Sequence, residues 1–502
     1  MKPSTLYRPS LALLTDFYEL TMAQAYFTAG VAETPAVFNL FFRKHPFGGG
    51  YTIACGLSAV TDFIENLHFD AEDIAFLDRQ TDDRGERLFT VAFLDWLAEL
   101  RLTLDVDAIP EGTVVFPQEP LVRVRGPLAQ AQLVETALLT LVNYSSLVAT
   151  KAAAVVQAAG GSPVLEFGLR RAQGIDGGLN ASYAAYVGGC NATSNTLAGR
   201  LYGIPVKGTH AHSWVLSFAN EQEAFDAYAQ AMPANATLLV DTYDTAGGVR
   251  AAIETGKKLR QRGFDLAGIR LDSGDLAYLS IQAREMLDAA GFSRTRIVAS
   301  NDLDPATIAS LRDQGARIDT YGVGTKLVTC YDQPALGGVY KLVAIADGPD
   351  GSWRTPIKIS EDPIKITVPG ILGVRRFYDA TGSARADMIY DETIGVSGAE
   401  IVDPASELRR HPIDPLWTSR ELLVAVFRAG ERVYTPSEIN EARARTAREL
   451  ASFNASIRRA LNPHRYPAGL ELGLARRRAG LIEERLKAKL AEQVQASQTQ
   501  EV

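Results

Sequence analysis

Ile204-Pro205-Val206-Lys207-Gly208-Thr209-His210-Ala211-His212 begins as a short apolar run and stops abruptly in a polar cluster. Five other stretches do the same. Val164-Leu165 runs into Glu166, Arg170 and Arg171, and Leu238-Leu239-Val240 into Asp241-Thr242-Tyr243-Asp244. Ile269 leads to Arg270-Leu271-Asp272-Ser273-Gly274-Asp275, Ile297-Val298 to Ser300-Asn301-Asp302, and Ile318 to Tyr321-Gly322-Val323-Gly324-Thr325. The runs recur roughly every 20–40 residues with helix-like stretches between them, the rhythm of successive βα units. In a parallel barrel such strand ends all open onto one face, where the chemistry sits. The pattern predicts an α/β chain whose central part is a barrel with one site at its rim.

Outward from that centre, residues 1–150 mix helix and strand. Phe17, Leu20, Ala23, Gln24 and Phe27 lie at helical spacing and predict an amphipathic helix over 16–27. Tyr18 lies off that stripe, free to face a ligand or a partner subunit. Val37 to Phe42 reads as a strand ending in Arg43-Lys44 and the flexible Gly48-Gly49-Gly50. Gln130 to Ala154 is a long apolar helical stretch leading into the barrel, which is placed at 151–344. Asp304-Pro305 caps a helix over Ala306–Gln314. From Tyr340 to Tyr390 short strands return, and they are expected to rejoin the N-terminal sheet. Residues 345–434 would then complete a discontinuous α+β domain begun by 1–150. Thr435-Pro436-Ser437-Glu438 reads as a capping box that starts a helical C-terminal tail, 435–502, broken at Asn462-Pro463 and resumed near Gly469.

A chain of 502 residues, 46% hydrophobic and 22% charged, has the composition of an ordinary globular protein with room for two or three domains. A net charge of −8 argues against broad binding to nucleic acid or an acidic membrane, which calls for a basic surface. Cys55, Cys190 and Cys330 lie far apart, which excludes a disulfide framework or a cysteine zinc site and fits a reducing cytosol. The opening Met1-Lys2-Pro3-Ser4 has no apolar signal core, and no run of about 18 apolar residues is evident. A cytoplasmic chain without nucleic-acid or membrane partners is the expectation.

Three clusters carry chemistry. Tyr321-Gly322-Val323-Gly324-Thr325 is a glycine-rich strand end whose amides can form a nest for phosphate oxygens; in isolation it is only a tight turn. Arg270-Leu271-Asp272 places a guanidinium and a carboxylate on one side of a strand. The bland reading is a salt bridge in the barrel; the functional one is an anion held by Arg270, with Asp272 and Asp275 taking magnesium or sugar hydroxyls. Arg170 and Arg171 add guanidiniums suited to phosphate. Thr209-His210-Ala211-His212 holds two of only six histidines beside a strand-end glycine, which points to catalysis. No third ligand stands at a convincing spacing for a metal, so metal ligands are unknown from the sequence. His45, His68, His411 and His464 read as surface or structural.

Taken together, Leu14 to Tyr18, Phe38 to Gly49, Glu166 to Gly174, Gly208 to Ser213, Arg270 to Asp275, Ser300-Asn301, Tyr321 to Thr325 and Gly337 to Leu342 resemble the nicotinate phosphoribosyltransferase family over roughly residues 10–370. The resemblance implies an irregular α/β barrel of the type II phosphoribosyltransferase kind, with a discontinuous N-terminal domain, assembled as a homodimer. It implies transfer of the phosphoribosyl group of phosphoribosyl pyrophosphate to nicotinate, giving nicotinate mononucleotide and pyrophosphate for NAD biosynthesis. ATP, with Mg2+, is coupled through a transiently phosphorylated histidine. By motif position that histidine is His212, whereas His210 fills the family's variable position. His212, Arg270 and Asp272 are then the catalytic residues. Tyr18, Thr209, Arg270 and Thr325 match positions that bind nicotinate or the phosphoribosyl group, and the set extends to Phe167, Arg171, Asp272, Asn301, Gly322 and Gly324. Nicotinamide-using relatives carry an acid in the stretch matching Thr193-Ser194-Asn195-Thr196, which is neutral here and favours nicotinate.

The residues by themselves reach only a phosphate-handling barrel enzyme. The alternatives are another phosphosugar enzyme (an isomerase, or an aldolase on Lys207 or Lys326), a nicotinamide-using phosphoribosyltransferase, and a non-catalytic nucleotide-binding module.

Overall fold

The computed structural model describes residues 10–347, 351–360, 362, 365–396 and 398–500, apart from the side chains of 407, 490 and 492–500. The chain divides into two compact units, Leu147–Pro334 and, from both ends of the chain, Met1–Ser146 with Ala335–Val502.

In the central unit the six apolar runs do not all become strands of one ladder. Five of them do, as Val164–Glu166, Thr237–Leu239, Gly268–Leu271, Arg296–Ala299 and Thr320–Val323, and Ala192–Thr193 makes the sixth strand. The spatial order begins at Ala192–Thr193, passes through Val164–Glu166, Thr320–Val323, Arg296–Ala299 and Gly268–Leu271, and ends at Thr237–Leu239. Every pairing is parallel. The remaining run contributes one parallel bridge, Val206 to Thr193. Among the described residues no ladder joins Val206 to Thr237–Leu239, so the strand hydrogen bonds form an open parallel sheet.

Short polar side chains start the intervening helices by accepting orphan N–H groups of the first turn. Asp244 accepts from Gly247, Asp275 from Ala277 and Tyr278, and Asp304 from Thr307, the last with Pro305 opening the helix Pro305–Asp313. Asp275, a carboxylate that its motif suggested for ligand binding, is thus engaged as a helix cap. Because parallel strands must start their helices on the same side, the caps and the reactive side chains share that side.

The second unit is built on two sheets. In the first, Pro35–Phe42 is flanked by Gly338–Ala346 and Val122–Pro127, all antiparallel, and the sheet extends through Asp105–Ala108 to Val424–Arg428. The second sheet contains Leu372–Tyr378 and Ala384–Asp391, so these strands do not rejoin the N-terminal sheet as the sequence led one to expect. Between Ala384–Asp391 and Glu400–Asp403 lies Ala468–Glu471, so the C-terminal segment supplies an interior strand as well as helices. The helix expected to start at Thr435 is Ile439–Ser452, with Glu438 before it and no side-chain cap. Ser437 Oγ instead accepts from Arg445 at 2.9 Å. That helix ends well before Asn462-Pro463, and the next long one runs Leu472–Gln500.

At the N-terminus, the helix Phe17–Thr28 buries Leu20, Ala23 and Glu19 but leaves Phe17 48% exposed, so the apolar stripe is narrower than its spacing implied. Leu128–Ala159 is long and apolar enough to cross a membrane, a run the composition reading passed over; 67% of its most apolar window is buried inside the protein, as a core helix requires. All three cysteines are buried, and none is in a disulfide.

An ion network with no solvent exposure at its centre ties the distant segments of this unit together. Arg376 donates to both Asp387 oxygens at 2.8 and 2.6 Å, to Glu449 at 2.5 Å and to the Val114 carbonyl at 2.7 Å. The Tyr466 hydroxyl donates to Asp387 at 3.0 Å. Glu119 is buried against Asp387, and burial and that neighbouring charge push its carboxyl well above the usual range, which keeps it neutral. Removing the cation strips buried Asp387 of its arginine and leaves Glu449 with Arg420 alone, at 2.7 Å. Arg376→Met is expected to destabilise the protein by about 3–5 kcal/mol; an unchanged urea midpoint would show that the network carries no stability.

Candidate active site

Arg270, on Gly268–Leu271, gathers the ends of two strands and a loop. Its Nε donates to Ser300 Oγ at 2.8 Å, one terminal nitrogen to Thr209 Oγ1 at 3.1 Å, and the other to Asp272 Oδ1 at 2.8 Å. Ser300 Oγ also donates to Asp272 Oδ1, closing a triangle. Alternation along the strand is the cause: Arg270 and Asp272 are two residues apart and share a side. The guanidinium is 13% exposed and the Asp272 side chain 26%, so both reach a solvent-open space.

Phe167 lies on the other flank of Arg270, with the guanidinium carbon 5.8 Å from the ring centre. A Cβ at Gly322 would stand 2.7 Å from that ring, so only glycine leaves Phe167 its place. Gly322 is thus an in-strand residue whose lack of a side chain makes room for Phe167. Gly324 precedes the short helix Thr325–Val328 with φ −116° and ψ −101°, and its own Cβ would meet the Phe167 carbonyl at 3.2 Å. Asn301 (φ 101°) and Asp302 (φ 40°) end their strand in left-handed backbone that L-residues rarely adopt, a sharp turn away from the sheet.

The two histidines of the Thr209–His212 cluster divide. His212 is half-buried, its side chain 41% accessible, and opens the helix His212–Leu216. Its Nδ1 lies 3.1 Å from Thr242 Oγ1, and its Nε2 is 4.0 Å from Asp241 and 3.9 Å from Asp272. His210 is only 7% exposed, packs against Tyr228 with ring centres 4.9 Å apart, and accepts the Leu239 N–H on Nε2 at 3.1 Å. Burial holds its pKa below the usual histidine value.

Asp241 belongs to the site although its motif did not single it out. One oxygen accepts the Asp272 N–H at 2.8 Å and the Ser273 hydroxyl at 2.7 Å; the other is buried without a hydrogen bond and faces His212. The only legible signal was its place at the end of Leu238-Leu239-Val240. Thr242, equally unremarkable in sequence, holds the catalytic candidate's ring.

Of the expected substrate-binding residues, Phe167, Thr209, Arg270, Gly322 and Gly324 are brought together by these contacts. Thr325 begins the adjoining helix, and Arg171 is exposed with no ion pair among the described residues. Tyr18 belongs to the other unit, half-exposed on Phe17–Thr28, with its phenol pKa raised by desolvation and by Glu135 and Glu19. Neither lysine suits an aldolase. Lys326 pairs with Asp304 at 2.7 Å, which raises its pKa, and Lys207 is exposed, whereas a Schiff-base lysine needs a depressed value.

The stretch Thr193–Thr196 is structural in part. Thr193 donates to Glu166 Oε2 at 2.6 Å, and Asn195 caps Thr196–Tyr202. Glu166 is buried and also accepts from Ser182 and the Gly168 N–H, so the one nearby acid is fully engaged.

Family models describing the N-terminal and C-terminal domains of nicotinate phosphoribosyltransferase match residues 13–143 and 373–477. A nicotinate phosphoribosyltransferase of Bacillus subtilis is 41% identical over 473 residues, covering 92% of this chain and 93% of its own. The crystal structure of human nicotinic acid phosphoribosyltransferase superposes with a TM-score of 0.79 at 32% identity, covering 93% of this chain and 99% of the other. A nicotinate-nucleotide pyrophosphorylase from Pyrococcus furiosus shares the fold, with a TM-score of 0.66 at 19% identity, covering 88% and 95%.

Glu221 stands behind the site with one buried oxygen unpartnered; burial, then Asp244 and Asp241, push its pKa to about 7 from 4.5. The folded state therefore binds a proton more tightly than the unfolded one, and stability falls as pH rises from 4.5 through 7. Glu221→Gln is expected to match the parent near pH 4.5 and to gain melting temperature over it as pH rises to 7, the difference levelling off above that. A melting-temperature difference that stays flat across that window rejects the assignment.

Proposed function

The chain belongs to the nicotinate phosphoribosyltransferase family, and on that premise we propose that it transfers the phosphoribosyl group of phosphoribosyl pyrophosphate to nicotinate, coupled to ATP through phosphorylation of His212. The observation that carries the reading is the approach of His212 Nε2 to Asp272, whose other oxygen is held by Arg270. A nucleophilic imidazole and an anion-binding guanidinium thus share one opening.

The chemistry needs no protein nucleophile on the sugar. As the bond from the ribosyl carbon to pyrophosphate breaks, the carbon becomes cationic and the leaving oxygen gains charge. Arg270 and Arg171 are suited to that anion, since each guanidinium offers several N–H donors. The two terminal nitrogens of Arg270 each keep one N–H beyond those already committed, enough to pair with a carboxylate or phosphate. Phe167 offers an aromatic face beside them on which a pyridine ring can lie. Holding both reactants in line supplies much of the acceleration.

For ATP, Nδ1–H donated to Thr242 leaves the lone pair on Nε2, the nitrogen on the side of Asp241 and Asp272. Attack on the γ-phosphorus forms an N–P bond, breaks the bond to the β-phosphate oxygen and releases ADP. The product adds about two negative charges beside Asp241 and Asp272. That repulsion favours rearrangement of the loop and later loss of the phosphoryl group to water. Among the described residues no group of three or more ligands forms a protein cage for a metal. Mg2+ fits nonetheless, because it is usually held by one or two carboxylates together with substrate phosphates. The bare Asp241 oxygen and Asp272 would hold it, and when bound it neutralises phosphate charge.

We read the open parallel sheet as the wall of an irregular barrel and the working protein as a cytoplasmic homodimer in which Tyr18 meets substrate. Nicotinate is favoured over nicotinamide because Thr193–Thr196 adds no charge and Glu166 is already occupied by its donors.

His212→Gln is expected to abolish incorporation of labelled ATP phosphate into acid-labile phosphohistidine while leaving a slower, ATP-independent ribosyl transfer. Label persisting on histidine in the variant shows that another residue is the acceptor. Nicotinate should be used at least about a hundredfold better than nicotinamide, the ratio that several kcal/mol of unpaired charge allows. Comparable turnover of the two bases defeats the specificity argument.

A further inference from the structure

We propose that His210 is a positioning residue: its imidazole occupies the place of a missing strand hydrogen bond on Thr237–Leu239 and thereby sets His212 against Asp241 and Thr242. The inference rests on the phosphohistidine reading for its catalytic consequence, and on geometry alone for the clasp itself.

Thr237–Leu239 is the terminal strand of the parallel sheet, so the N–H and C=O groups on its outer side have no ladder to enter. A buried N–H without an acceptor costs about 1–3 kcal/mol. The run Ile204–Lys207 comes from the other edge of the sheet, where Val206 bridges Thr193 and the Lys207 N–H donates to the Thr193 carbonyl at 3.0 Å. It does not continue far enough to pair with Thr237–Leu239. His210, three residues further on, reaches across with its side chain and accepts the Leu239 N–H.

Both ring nitrogens are then assigned. Nε2 must carry the lone pair, so the proton is on Nδ1, which lies 3.3 Å from the Ala211 carbonyl. Burial keeps the ring neutral, as this acceptor role demands, and the rings of Phe225 and Tyr228 hold its plane. The loop meets this strand at a second point two residues later, where His212 Nδ1 lies against Thr242 Oγ1, just past the end of the same strand. On the other side Thr209 accepts from Arg270. Positions 209, 210 and 212 thus fasten the loop to two strands, and His210 is the one that does so from a buried site. Loss of its acceptor frees Leu239's N–H and lets His212 drift from the carboxylates it faces.

The test compares the parent with His210→Leu, which fills the space without accepting, and His210→Gln, whose amide oxygen can accept at the Nε2 position. The clasp predicts that hydrogen exchange at the Leu239 amide is slow in the parent and in His210→Gln and about tenfold faster or more in His210→Leu. The positioning role predicts phosphohistidine formation from labelled ATP about tenfold slower in His210→Leu, restored to within about threefold in His210→Gln, with little change in KM for nicotinate. Equal labelling in all three proteins overturns the positioning role, as does equal loss in both variants. A Leu239 amide that exchanges freely in the parent overturns the clasp. An unlabelled parent protein overturns the phosphohistidine reading instead, and Leu239 exchange still decides the clasp in that case.

Discussion

Arg270 commits three donors to Ser300, Thr209 and Asp272, and each acceptor comes from a different segment of the central unit. A guanidinium has a rigid planar fork, so its acceptors must lie in fixed directions. The strand ends at 270, 272 and 300 and the loop at 209 are therefore located relative to one another by one side chain. Asp272 is oriented by it, and Asp241 in turn accepts the Asp272 N–H. His212, Phe167 and the glycines at 322 and 324 take their places around that frame. A lysine at 270 would preserve the charge and lose the fork.

The second unit depends on a comparable constraint with the opposite exposure. Arg376 is shielded from solvent, and its carboxylate partners lie far apart in sequence, at 387 and 449. Beside Asp387, burial and that carboxylate push the Glu119 carboxyl well above its usual range. The network brings the strand Leu372–Tyr378, its neighbour Ala384–Asp391, the helix Ile439–Ser452 and the Val114 carbonyl to one point. Such a centre specifies which segments meet, because any mispairing would bury an unsatisfied charge.

Much of the central unit was legible because parallel strands are short, apolar and followed at once by polar residues. Gly322 and Asp275 have structural roles that this reading did not anticipate. Both stand in conspicuous motifs, yet one makes room for Phe167 and the other caps a helix. Local sequence cannot distinguish a carboxylate that starts a helix from one that faces a ligand, since both occur at strand ends. In the second unit, Thr435-Pro436-Ser437-Glu438 has the composition of a cap, but Arg445 takes Ser437 and the helix starts later. Tertiary competition for a hydroxyl leaves no trace in the local pattern.

The identities at 209, 210, 212, 270 and 272, their order along the chain and their position after apolar runs are properties of the sequence, and periodicity is enough to place them at strand ends. The separate fates of His210 and His212 are not. One lies 7% exposed beneath Tyr228 and the other opens to solvent, although only Ala211 stands between them. That division, like the recruitment of Asp241 and the insertion of Ala468–Glu471 into a sheet begun far earlier in the chain, depends on which backbone groups are left without a partner once distant strands have paired. Such vacancies exist only in three dimensions.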